Sequence, residues 1–175
     1  WENVTASKAA IRLGVTKMSA NRCFDEIEYL NVDILGMKGK SRVITVPADI
    51  QKLWNDVRVI LRNPVIARYE LKEDIQLGKK AGITALCEYS LLSDNEYPTY
   101  AITKKEITES GIRKMKQVHS GEEIGCVVLE LGYFIDFKNK KLEDPLSVTL
   151  SLTESEKQDE RIGISIKRML EEYVW

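Results

Sequence analysis

TASKAAIRLGVTKMSANRCFDEIEYL, residues 5–30, is the stretch whose reading decides the fold. Thr5 or Ser7 can cap a first helix over 5–13, where Ala9, Ala10 and Leu13 supply a face of small and apolar residues. Gly14 offers the left-handed backbone that ends such a helix. Val15 is expected to plug the turn that follows, and Thr16 is a suitable N-cap for a second helix over 17–30. In that helix Ala20, Cys23, Phe24, Ile27 and Leu30 recur at spacings of three and four, the pattern of a buried stripe. Cys23 is thereby expected in the core.

The polar side of the second helix is divided. Lys17, Met18, Ser19, Asn21 and Arg22 occupy its first two turns, and Asp25, Glu26 and Glu28 follow. Beyond it, residues 34–46 (ILGMKGKSRVITV) place two β-favouring runs about a glycine-containing tip, which predicts a hairpin carrying Lys38, Lys40 and Arg42. Two helices, a tight turn and a basic hairpin are the pattern of a winged helix-turn-helix, a module that enters the DNA major groove with the N-terminal end of its second helix. Carboxylates there would meet phosphates and be repelled, so a basic start and an acidic end suit that geometry. Lys17, Ser19, Asn21 and Arg22 are the groove-facing candidates. Arg22 suits a bidentate contact with guanine and Asn21 one with adenine, with a phosphate contact or a solvated side chain as the equal alternative for either. Lys17, Lys38, Lys40 and Arg42 are the phosphate-contact candidates.

The rest of the chain reads as alternating helices and strands. An amphipathic helix is predicted over 48–62, with Ile50, Leu53, Trp54, Val57, Ile60 and Leu61 on one face. Strands are expected over 65–71, 97–102, 112–118 and, most strongly, 124–137. A helix is expected over 77–92 with Ile83, Leu86, Cys87, Ser90 and Leu91 inward, although Gly78 and Gly82 weaken its start. Thr103 and Glu106 form a capping box for a helix that Gly111 ends. Asp144-Pro145 starts another helix, with Leu146, Leu150 and Leu152 inward. Turns are expected at 93–95, 120–121 and 138–141, and a charged loop over 153–159. A last helix carries Ile162, Ile166, Met169, Leu170 and Tyr173 as a stripe, facing its own sheet or a second copy. The expected fold class is α+β: a winged helix with its connector helix (1–62) and a C-terminal α+β unit (63–175).

Bulk properties set bounds. With 175 residues, 43% hydrophobic and 30% charged, the composition is that of an ordinary globular protein. The formal net charge of −1 means that a nucleic-acid reading must rest on where charge sits. Residues 1–46 carry seven Lys/Arg against five Asp/Glu, a mild excess of the right sign. Cys23, Cys87 and Cys126 are odd in number, far apart and outside any C-x-x-C pair, which argues against a disulfide framework or zinc site and for a reducing cytoplasm. No apolar run approaches the ~20 residues that cross a membrane. His119, the one histidine, reads as a loop residue, and the acidic residues 122–123 and 154–160 as solvated surface. Without a phosphate-cradling loop, G-x-S-x-G or H-E-x-x-H, no enzyme, cofactor or metal is expected.

AAIRLGVTKMSANRCFDEIEYL resembles the helix-turn-helix of the MarR-like winged-helix transcription regulators. The likeness lies in the small residues of the first helix, Leu13-Gly14-Val15 at the turn, Thr16-Lys17 at the second helix start, and the stripe Ala20, Phe24, Ile27 and Leu30. Residues 39–43 (GKSRV) resemble that family's wing. The resemblance implies double-stranded DNA as partner, a homodimer on a palindromic operator and the role of a repressor. Only Trp1-Glu2-Asn3-Val4 precede Thr5, so the helix that such modules carry upstream is expected to be missing here. GITALCEYSLL and YPTYAI are similar to the C-terminal domain of AbiEi-type antitoxins. That likeness implies an alternative: a DNA-binding antitoxin whose C-terminal unit opposes a toxin-like nucleotidyltransferase.

Overall fold

In the computed structural model, which describes residues 1–93, 97–133 and 141–175, the chain separates into two units, Trp1–Leu61 and Arg62–Trp175. Both mix helix and strand, so the fold class is α+β. No described helix is long and apolar enough to cross a membrane.

The first unit begins with strand β1 (Val4–Thr5) and helices α1 (Ala6–Leu13) and α2 (Lys17–Tyr29). Strands β2 (Leu35–Lys38) and β3 (Ser41–Ile44) follow, joined through Gly39 and Lys40, with Gly39 at φ 61°. The sheet order is β1-β3-β2, all antiparallel, with Val4 opposite Ile44 and Gly36 opposite Val43. Val4, Ala6, Ala9, Ala10, Ala20 and Phe24 form the core, flanked by Leu35 and Ile44. Its alanines let α1 and α2 approach closely around one large ring. Helix α3 (Ile50–Val57) is shorter than the apolar periodicity predicts. Asp49 caps it through the Lys52 amide (2.7 Å), and the amides of Ile60 and Leu61 both fold back onto the Val57 carbonyl. Of its expected stripe, Trp54 is buried while Ile50, Ile60 and Leu61 are exposed.

The second unit is built on a four-stranded sheet of order β4-β7-β6-β5, where β4 is Val65–Leu71, β5 Lys79–Lys80, β6 Thr99–Thr103 and β7 Cys126–Leu131. β6 and β7 run parallel; the outer pairs are antiparallel. All six β7 residues are buried, as a central strand covered on both faces requires. On one face Leu71, Tyr100, Ile102, Cys126 and Val128 pack with Ile107 of helix α5 (Lys104–Ser110) and with Ile112. On the other, Ala101, Val127, Leu129 and Leu131 pack with Ala81. Helices α4 (Gly82–Tyr89), α6 (Pro145–Ser151) and α8 (Glu160–Tyr173) pack on one another, and the rings of Tyr89 and Tyr173 meet edge to face at 4.9 Å.

Several expectations are corrected here. Residues 77–81 do not begin a helix: Lys79 and Lys80 pair with Ala101 and Tyr100, and a Cβ at Gly78 (φ +78°) would lie 2.4 Å from the Ala101 carbonyl oxygen. Strand pairing thus overrides the helical pattern until Gly82. Leu91, expected inward, is 83% exposed because α4 has ended before it. The expected strand over 112–118 is a 3-10 turn at Ile112–Lys114, since Gly111 in the left-handed region (φ 72°) redirects the chain and buries Ile112. The expected loop over 153–159 contains helix α7 (Glu154–Lys157), held by a capping box between Thr153 and Glu156. The expected strand 124–137 is strand only over Cys126–Leu131 among the described residues; residues 134–137 lie outside them, as do Asp94, Asn95 and 138–140 of the expected turns.

Two buried glutamates in this unit meet different fates. Glu130 on β7 accepts from Tyr69 Oη (2.9 Å) and from the Arg113 guanidinium (3.0 Å). Burial pushes its carboxyl up, but those two partners outweigh it and hold it below the usual range. Glu143 precedes α6; its backbone amide donates to Lys80 O and its carbonyl accepts from Tyr89 Oη. Among the described residues, one carboxyl oxygen accepts only a long bond from the Gly82 amide (3.4 Å), and the other is buried without a partner. Burial, reinforced by the charge of Asp144, raises Glu143 to about 8. The folded protein therefore keeps a proton that the unfolded chain releases near pH 4.5, and stability falls as pH rises from there through 8. Glu143→Gln, neutral throughout, removes that loss. Thermal unfolding between pH 5 and 8.5 should show the variant gaining on the wild type by as much as about 4 kcal/mol, at about 1.4 kcal/mol per pKa unit; parallel profiles would refute it.

Candidate nucleic-acid interface

The two N-caps and the glycine between them set the geometry of α1 and α2. Thr5 Oγ1 accepts from the Lys8 amide (3.4 Å), and Gly14 at φ 65° closes α1. The Val15 amide returns to the Ala10 carbonyl (3.0 Å), which fixes the turn from the backbone. Val15 itself is 44% exposed, so it does not plug the turn as expected. Thr16 Oγ1 accepts from the Ser19 amide at 3.1 Å and starts α2. At the other end of the unit, Glu2 Oε2 accepts from the Val46 amide (2.8 Å), tying the chain start to the end of the hairpin.

On α2 only Ala20 and Phe24 are buried, with Ile27 half-buried. Cys23 is exposed rather than in the core, and Leu30 is exposed as well. The buried face is thus narrower than the sequence pattern, because α1 presents alanines and one large ring fills the space between the helices. This leaves a wide outer face. Lys17, Met18 and Arg22 are exposed on it, and Asn21 is half-buried. The Ser19 hydroxyl lies 2.9 Å from Thr16 Oγ1 and completes the cap rather than standing free. There is no acid in the first turn of α2 and no base in its last, so the side-chain charges do not compensate the helix dipole. They extend it: positive at the start, negative at Asp25, Glu26 and Glu28.

The hairpin carries its basic residues in two ways. Lys38 and Lys40 are exposed at and beside the tip. Arg42, expected as a phosphate contact, is turned back onto α2. Its guanidinium lies 2.7 Å from both Asp25 and Glu28 and 5.8 Å from the centroid of the Phe24 ring. The hydrogen bond to Asp25, with Glu28 beside it, outweighs partial desolvation and holds the guanidinium proton more firmly than usual. Arg42 is a positioning residue that ties hairpin to helix and neutralises carboxylates on the outer face. Sequence spacing does not reveal this, because the contact spans 14 positions and two kinds of secondary structure. Arg12, exposed in the last turn of α1 with its guanidinium 5.2 Å from the Trp1 ring, is a further exposed cation of this unit that sequence reasoning did not single out.

Elsewhere, His119 is exposed, its amide donating to Glu122, and Lys72 pairs with the same carboxylate. Cys87 is half-buried and Cys126 buried, both without a disulfide. Among the described residues no group of three metal-ligating side chains converges. Comparison with family models, curated proteins and solved structures finds no match to this chain.

Removing the Arg42 tether should loosen the hairpin. In Arg42→Ala, backbone amides of β2 and β3 are expected to exchange hydrogen faster than in the wild type, while those of β6 and β7 stay unchanged. Equal protection of the hairpin in both proteins would show that the ion pairs do not hold it.

Proposed function

We propose that this protein is a sequence-specific DNA-binding transcription regulator of winged helix-turn-helix type, a binding protein rather than an enzyme, acting as a repressor by occupying its operator. The observation that carries the reading is the exposure of Lys17 and Arg22 in the first two turns of α2, in the same unit as a hairpin whose Lys38 and Lys40 are exposed and which is tied to α2 through Arg42. The element order strand-helix-helix-hairpin and the sheet order β1-β3-β2 support it, since they form a three-stranded antiparallel sheet whose last two strands are the wing. In this reading Arg22 and Asn21 meet base edges, and Lys17, Lys38 and Lys40 meet phosphates. Ser19 completes the cap at the helix start, where backbone amides face an incoming phosphate. Arg42 keeps helix and wing in one register.

The test begins with selection of a binding site from a randomised duplex pool, followed by fluorescence anisotropy across salt concentrations. Wild-type affinity should fall steeply with salt. Lys17→Ala and Lys40→Ala should each weaken all duplexes alike and reduce the salt slope by about one, whereas Arg22→Ala should cost about 1–3 kcal/mol on the selected site and relax its sequence preference. An Arg22→Ala/Lys40→Ala double variant with wild-type affinity would sink the reading.

A further inference from the structure

α8 carries an apolar and charged face with no partner among the described residues of its own chain. Ile164 is 63% exposed at the middle of that face, and it shares a groove of about 610 Å³ with Leu91, which is 83% exposed beyond the end of α4. Ile83 and Ile162 line the same groove, and Arg168 stands at its edge. At 3.6 residues per turn, Glu160, Ile164 and Arg168 fall within an arc of about 80° on one side of the helix. Among the described residues neither Glu160 nor Arg168 has an ion-pair partner, whereas their neighbours are matched: Arg161 lies 2.7 Å from Asp159, and Lys167 lies 3.8 Å from Glu171.

The order acid-isoleucine-base, with equal steps on either side, is self-complementary only when read backwards. We propose that a second copy of this chain docks on this face, α8 against α8 antiparallel about a twofold axis at Ile164. Each Glu160 then meets Arg168 of the other copy, the two Ile164 side chains cover one another, and the exposed Leu91 side chains extend the apolar centre. A parallel pairing would stack like charges and is disfavoured. Arg161 and Lys167 also face across such an axis, and both enter it already neutralised within their own chain. A helix of 14 residues, about 21 Å long, offers less than the ~800 Å² per partner of a standard interface. The dimer is therefore weak and dependent on concentration. The inference stands on α8 and the groove beside it, not on the functional reading, and a twofold dimer also suits a palindromic operator.

Sedimentation velocity of the full chain over a wide concentration range tests it. The wild type should pass from monomer to dimer. Ile164→Glu should remain monomeric with an unchanged circular dichroism spectrum, because the site is exposed. Glu160→Arg and Arg168→Glu should each weaken the dimer about tenfold or more by placing like charges opposite one another. The double exchange Glu160→Arg/Arg168→Glu should restore it. A wild type that stays monomeric overturns the proposal and gives the groove to a different partner. Single variants that dimerise normally, or a double exchange without recovery, overturn the antiparallel register. Because anisotropy reads DNA affinity separately, a wild type that binds DNA yet stays monomeric at every concentration refutes this inference and leaves the functional reading standing.

Discussion

Arg42 is the interaction on which the geometry of the first unit depends. One guanidinium reaches from β3 to two carboxylates on α2 and lies above the only large ring in that core. The core is otherwise small: four alanines, a valine and Phe24. So few apolar contacts leave the angle between hairpin and helix weakly determined, and a bidentate cation with two fixed acceptors supplies the missing constraint. The pairs are partly exposed, so their value lies in fixed geometry more than in stability.

The second unit handles charge differently. Its sheet buries β7 completely, so the acid in that strand must be answered in place, and Tyr69 and Arg113 do so. Glu143 has no such answer among the described residues and is kept as a neutral acid at neutral pH, at a junction where its backbone bonds Lys80 and Tyr89. Two glutamates in one unit thus show both solutions open to a buried carboxyl: compensate the charge, or shed it.

What the sequence made legible was governed by local rules. Thr5, Thr16, Thr103, Asp144 and the glycines at 14 and 111 act where their side chains or backbone freedom predict, because a cap involves residues three positions apart. The hairpin over 34–46 was readable for the same reason. The failures lie where distant contacts decide. Cys23 and Leu30 have the spacing of a buried stripe, but how far burial extends around α2 depends on the sizes of side chains across from it. Residues 77–81 have a helical pattern, but β6 offers them a strand partner. In the candidate interface, exposure of Lys17, Arg22, Lys38 and Lys40 followed from periodicity, whereas the inward turn of Arg42 and the capping role of the Ser19 hydroxyl did not.

The charge order of α2 has a kinetic consequence, although Arg42 offsets part of the acidic end at Asp25 and Glu28. A polyanion approaching this helix meets a field that attracts at one end and repels at the other, so encounters with the wrong polarity are discouraged before any atom touches. In the proposed DNA-binding reading, direction of docking is thus written into the helix itself, at the expense of some of its intrinsic stability. It acts over roughly a Debye length, about 8 Å at physiological ionic strength, and fades as salt is added.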